Sequence, residues 1–214
     1  MYHFLPEELK AILEKHARWL RGEEGGECII WEYRILAHQE GLSRVDLRRA
    51  KLKEVDFGGV NLANTDLSGA DLSGANLKGT NLHCTDFTGA NLTHTDLTRA
   101  DLWQGHLREA DLSAAGLSYA KLVGVDLIKA NLSDAFLMKA DLSGANLTDA
   151  NFTNANLVQA TLKGANLTRA ILVNARLTQA MLNEANFENA DLTGADFTGS
   201  FRVFTNFTGA KNPP

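Results

Sequence analysis

A large apolar residue recurs at every fifth position along most of this chain. Counted from Leu47 to Phe207, the frame gives 33 positions: 26 are Leu, six are Phe (Phe57, Phe87, Phe152, Phe187, Phe197, Phe207) and one is Arg202. Two residues earlier in each pentad stands a compact residue. From Val45 to Thr205 these are 22 Ala, five Thr, four Val, one Gly and one Ser. The other three positions are polar: mostly Asp or Asn, then Ser or Thr, then Gly or another polar residue. The frame runs from Val45 to Gly209 without an insertion. A helix repeats about every 3.6 residues and a strand every 2 or so, so a period of five belongs to neither.

The pentad nevertheless has a physical reading. Two inward residues separated by one outward residue form a very short extended segment. The two residues that follow, often Ser-Gly or Thr-Gly, have turn chemistry, with Gly free to take positive φ. Each pentad is therefore a strand and then a bend, and a chain that bends the same way every five residues winds into a coil. Coils stack through backbone hydrogen bonds at about 4.8 Å. The interior must be narrow, because half of the inward positions hold Ala, Thr or Val. Proline is absent between Pro6 and Pro213, as a ladder-forming backbone requires. The fold class is an all-β solenoid, occupying residues 45–210 and followed by a short tail over 211–214.

The repeat A(D/N)Lxx, as in "ADLSGANLTDANFTNANL" from Ala140 to Leu157, resembles the pentapeptide-repeat family. The resemblance covers about three quarters of the chain. It implies a right-handed quadrilateral β-helix with four pentads per coil. Thirty-three pentads then give about eight coils and a rod of roughly 40 Å at the coil-stacking distance.

An open solenoid end exposes strand edges and core, so the ends need covers. Residues 1–44 are read as an N-terminal helical cap and a connecting segment. Pro6 suits a first helical turn, and Glu7 and Glu8 favour the positive helix end. Leu5, Leu9, Ile12, Leu13, His16 and Leu20 follow helical spacing. Arg18 and Arg21 sit near the last turn, and Gly22 is a stop. The stretch "ELKAILEKHARWLRGEEGGE" resembles a leader that precedes the repeats in many bacterial pentapeptide proteins. The next stretch, "CIIWEYRILAHQEG", carries Trp31, Tyr33 and Ile35 out of register. It is read as a second, helical capping piece. At the other end, "GSFRVFTNF" breaks the pattern: Phe201, Val203 and Phe204 fall at outward positions and Arg202 at an inward one. A charge deep in the core would be very costly, so Arg202 is expected to leave through the open end. Phe201, Val203, Phe204 and Phe207 then either cap the core or meet a second copy. The resemblance favours a homodimer through this end.

Composition narrows the function classes. The formal net charge of −5 argues against direct nucleic-acid binding, which rests on neutralising phosphates. No run of residues is long and apolar enough to span a membrane, and the N-terminus has no signal-peptide pattern. Cytoplasmic localisation is the expectation. Cys28 and Cys84 are neither a disulfide framework nor part of metal-ligand spacing.

Residues twenty apart share a face of such a coil, so chemistry is sought in columns. Asp46, Asp66, Asp86 and Asp126 form one column, interrupted by His106 and continued by Asn146, Asn166, Asn186 and Asn206. It is either an acidic stripe imitating DNA phosphates or a consequence of Asp bonding its own turn backbone. His83, His94 and His106 fall on different faces, and a convex rod offers no concave pocket for catalysis. No catalytic residues, metal or cofactor are assigned, and the chain is read as a non-enzyme. Outward apolar residues are the better signal for a protein partner. Trp103, with His83 beside it, and Phe136 with Met138 are the candidate partner contacts. Ile171 and Met181 are further outward apolar positions, Cys84 is read as a surface thiol, and Arg44, Arg48, Arg49, Lys51 and Lys53 form a basic rim. The first reading is a rigid protein–protein interaction scaffold. The alternative, implied by the resemblance, is a DNA mimic that binds a type II topoisomerase, DNA gyrase, and protects against quinolones. This chain carries no inserted loop and only a weakly acidic face, unlike that group.

Overall fold

A computed structural model describes residues 4–32, 34–37 and 39–214. Helix α1 runs over Pro6–Leu20, and a ladder of parallel pairings fills most of the remainder. Pro6 opens α1, Glu7 and Glu8 occupy its first turn, and the Glu8 carboxylate accepts from the Leu5 N–H at 2.9 Å. Gly22 follows the helix at φ +70° and donates to the Trp19 carbonyl. Leu9 and His16 are buried, and Ile12 and Leu13 are half-buried against the core. Leu5, expected on the apolar stripe, precedes the helix and points to solvent. Gly26 passes so close to the Trp19 backbone that any Cβ there would collide with it.

From Asp46 onward each pairing joins residues twenty apart, as in Asp46↔Asp66 and Asn186↔Asn206. With a period of five, that makes four pentads per turn and four faces. The pentad at 70–74 illustrates the bonding. Ala70 donates to the Leu67 carbonyl and closes the bend (3.0 Å). Asp71, Leu72 and Gly74 donate to Ala50, Asn91 and Thr93 in the flanking coils (3.0, 2.8 and 2.8 Å). Only the Ser73 N–H has no main-chain partner; it donates to Asp71 Oδ1 at 3.1 Å. The same bond is made by all 23 Asp and Asn residues that precede the inward Leu or Phe. The prevalence of Asp and Asn here thus follows from one orphan donor per pentad. Asn81→Ala is expected to lower stability by about 1 kcal/mol, and Asn81→Asp by less than about 0.5. Chemical denaturation of the two variants checks it.

The bend places its last residue at φ near +60° whether or not it is Gly; Arg49, Tyr119 and Lys139 lie at +58°, +60° and +58°. A positive φ at this position of a turn suits Gly best and costs other residues roughly 1 kcal/mol each, which the ladder bonds offset. Inside, the Leu and Phe rows and nearly all the Ala positions are buried. Four buried threonines keep their hydroxyls satisfied. Thr65, Thr80, Thr85 and Thr95 donate to the carbonyls of Leu42, Phe57, Leu62 and Leu72, 2.7–3.1 Å away in the preceding coil.

The described residues of the stretch after α1, expected to be helical, form a partial coil instead. Ile30 pairs with Lys51 and Ile35 with Asp56, now twenty-one apart. Trp31 and Leu36 donate to the carbonyls of Lys51 and Asp56 at 2.8 and 2.7 Å, and Ile29, Trp31 and Leu36 are buried. The pentad rule therefore continues upstream of Val45, displaced by one residue. The inward residues step from Leu36 to Leu42, with exposed Gly41 at φ +78° in the six-residue step. Tyr33, also placed out of register, lies outside the described residues.

Arg202 is exposed, as its charge demands. Phe207 turns inward and stacks on Phe187 (centroids 5.3 Å apart), with Phe197 edge-on to both.

Candidate interaction surfaces

The four faces differ in what they add to the common backbone. On the first, Asp46, Asp66, Asp86, His106 and Asp126 follow one another in pairing order. The carboxylates are not free. Each bonds its own turn N–H, and arginines close both ends of the column. Arg48 grips Asp46 through two nitrogens and lies 3.6 Å from Asp66, while Arg108 Nε donates to Asp126. Partial burial pushes Asp46 up, but the bonds from Arg48 outweigh it and hold the carboxyl below its ordinary value. The basic rim is also engaged in part: beyond Arg48, the Arg49 guanidinium sits 4.9 Å over the Trp19 ring.

A second face carries His83 and Trp103, one coil apart, with ring centroids 5.8 Å apart. Asp101 organises them. It accepts from His83 Nε2 and Lys121 Nζ, both at 3.0 Å, and from the Trp103 N–H at 3.3 Å. Partial burial raises its pKa, but these three bonds outweigh that and hold it low. The indole is 44% exposed. Cys84, in the same pentad as His83, is a free thiol.

Phe136 and Met138 lie on a third face, so the four candidate partner contacts do not form one site. Phe136 is 53% exposed. It pairs with Gly116 in the coil before it. Tyr119 belongs to the same surface, with Arg99 and Lys139 at 5.8 and 5.5 Å from its ring centroid. Tyr119 and Arg99 escaped the sequence reading because each occupies a common polar turn position. Stepping twenty residues along the column from Lys139 would have found both.

The C-terminal residues divide. Phe207 completes the core, whereas Phe201, Val203 and Phe204 stay outward, with Phe204 86% exposed. These three do not fold over the core as a cap. Met181 stands one coil before Phe201 and extends the apolar surface.

Near the N-terminus, a cleft of about 840 Å³ opens between α1 and the first coil, lined in part by Phe4, Leu9, Leu13, Val45, Lys10 and Asp46. Among the described residues no group of His, Cys, Asp or Glu could hold a metal ion. No helix there is long and apolar enough to cross a membrane.

A repeat ladder with a large inward residue, mostly Leu, and a compact one, mostly Ala, in nearly every pentad defines a class of solenoid, and the comparisons agree. The family model for pentapeptide repeats matches in overlapping segments between residues 42 and 199, and the chain belongs to that family. No curated protein matches it. Among solved structures, it is similar to HetL, a pentapeptide repeat protein involved in heterocyst differentiation regulation from the cyanobacterium Nostoc sp. strain PCC 7120. They share 29% identity over 97% of both chains, with a TM-score of 0.40. Another is a trypsin-treated form of QnrB1, a plasmid-mediated fluoroquinolone resistance protein. It is 18% identical over 82% of this chain and 89% of that one, at a TM-score of 0.66, a likeness of fold.

Proposed function

We propose that this protein is a non-enzymatic scaffold of the cytoplasm that binds a protein partner on the faces of a rigid rod. In this reading the rod is a right-handed β-helix of about eight coils, closed at its first coil by α1. One observation carries the proposal: several outward apolar residues stand where the fold would gain from Asp or Asn. Phe136, Ile171 and Met181 each replace the residue that would satisfy the orphan turn N–H; Phe201 does so too, but there the Val203 N–H donates to Asn183 Oδ1 at 3.1 Å instead. A stability loss of roughly 1 kcal/mol at each of the first three sites is retained together with exposed apolar surface, which favours a contact role. His83 with Trp103 and the C-terminal surface are the other docking candidates.

Copurification from the native cell, comparing wild type with Trp103→Ser and Phe136→Asn variants, tests the scaffold. A specific partner lost in either variant supports it. Unchanged partner sets in both variants and in a Phe204→Asp variant refute it.

The C-terminal surface fits a second copy of the chain. Phe204→Asp is expected to convert a dimer into a folded monomer by light scattering, and a wild type that is already monomeric removes this contact.

Gyrase binding by DNA mimicry is the alternative. The arginines that close the acidic column weigh against it. Titration into a gyrase supercoiling reaction, with and without a quinolone, decides: inhibition or relief of drug-induced cleavage moves this reading first.

A further inference from the structure

The Phe136 face has features that select the chemistry of a partner. Gly116 precedes Phe136 in its column and adds no side chain. A Cβ there would rest in ordinary contact with Asp96 Oδ1, Thr98 Oγ1 and the Thr95 carbonyl at 3.7, 3.8 and 3.9 Å, so nothing large stands beside Phe136 at this step of the column. Neither Gly116 nor Phe136 can accept the orphan turn N–H of its pentad. The N–H groups of Ser118 and Met138 consequently have no hydrogen-bond partner among the described residues. These two donors lie in successive coils on one face. Beside them Tyr119 is held between Arg99 and Lys139, and neither cation forms an ion pair among the described residues. Two backbone donors, two unpaired cations and an exposed Phe–Met–Tyr surface thus share one face over three successive coils. Donors and cations together favour an anion, and the apolar surface favours a large side chain next to it.

We infer that this face docks an extended protein segment carrying an acidic residue two or three positions from a large apolar one. The inference rests on the scaffold reading above. The apolar side chain covers Phe136 and Met138, which no bulky side chain at Gly116 shields. The carboxylate lies toward Arg99 and Lys139. Three residues span at most about 10 Å, so Lys139 lies within the reach of two to three extended residues from Phe136.

Selection from a random displayed-peptide library on the intact protein tests this. Enriched peptides are then synthesised with a fluorophore and titrated by anisotropy. Enrichment of Asp or Glu two or three residues from Leu, Phe or Met is expected. Phe136→Asn should weaken binding about tenfold. This variant restores the common pentad residue, so loss of fold is not anticipated, and circular dichroism confirms that. The double variant Arg99→Gln with Lys139→Gln should weaken binding and flatten its salt dependence. Enriched peptides without acidic residues, or binding that survives Phe136→Asn, overturn the inference. If peptides bind only through Trp103 or Phe204, the inference falls and the scaffold reading stands. If none binds and copurification also finds no partner, both fall.

Discussion

Leu112→Asp is expected to unfold the middle of the rod. Leu112 is fully buried, its N–H donates to the Asn131 carbonyl at 2.7 Å, and Leu92 and Leu132 share its row in the flanking coils. Truncating such a Leu to Ala costs about 2–5 kcal/mol through lost burial and a cavity. Aspartate adds the cost of an unpaired buried carboxylate, which neutralises or escapes only by opening the coil. Each coil contacts only its neighbours, so the damage should spread locally before the rod fails. Circular dichroism should show a markedly lower melting temperature, and limited proteolysis should cut near residues 92–132 first. A melting temperature equal to wild type would refute the inward assignment of the Leu row. Leu112→Ala provides the milder control.

Acidification should release helix α1 from the rod while the coils stay folded. His16 is buried and joins the helix to the coils through both ring nitrogens. The Ile29 N–H donates to Nδ1 at 3.1 Å, so Nδ1 is unprotonated. Nε2 then carries the proton and donates to the Arg48 carbonyl at 3.0 Å. A second proton would break the Ile29 bond and leave a charge under the helix. The ring stacks on Trp19, and Asp46, Arg48 and Arg49 are the charged groups around it. Burial pushes its pKa below the ordinary 6.5; the Arg48 carbonyl and Asp46 oppose this without reversing it, and the Arg48 charge reinforces it. The sign follows. Below pH about 6.5 the undocked state binds the proton more readily than the docked one, so docking weakens as pH falls through that value toward the lowered pKa. Hydrogen exchange over residues 6–20 should therefore quicken between pH 7.5 and 5, with residues 60–190 unaffected. His16→Ala leaves the Ile29 N–H and Arg48 carbonyl unpaired beside a cavity. It should loosen the helix by about 2–4 kcal/mol at neutral pH and flatten the pH response. Equal protection of α1 at both pH values in wild type would refute the latch.

Why some of this was legible in advance is clear from particular residues. The Leu and Ala rows, the helix over 6–20 and the exit of Arg202 all follow from local pattern plus the cost of burying charge. Residues 28–38 were not legible. A single extra residue at the Leu36-to-Leu42 step displaces Trp31 and Leu36 by one position, and a strict five-residue frame then reads an extension of the coil as noise. The acidic column was visible as spacing, but not the grip of Arg48 and Arg108 on its ends. Likewise Trp103, His83, Phe136 and Met138 looked like one class of residue, and the winding of the chain assigns them to two faces.

By itself the sequence determined the period, the inward rows and the departure of the repeats from a conventional helix or sheet, because those depend on which side chains must leave water every five residues. Tertiary structure alone decided which side chains bond or stack within and between the twenty-residue columns. It set Tyr119 between Arg99 and Lys139, joined His16 to Ile29 and Arg48, and left the Ser118 and Met138 donors open in successive coils. Those relations arise from the stacking of coils, where contacts distant in sequence lie about 4.8 Å apart, and no local pattern of hydrophobic and polar residues encodes them.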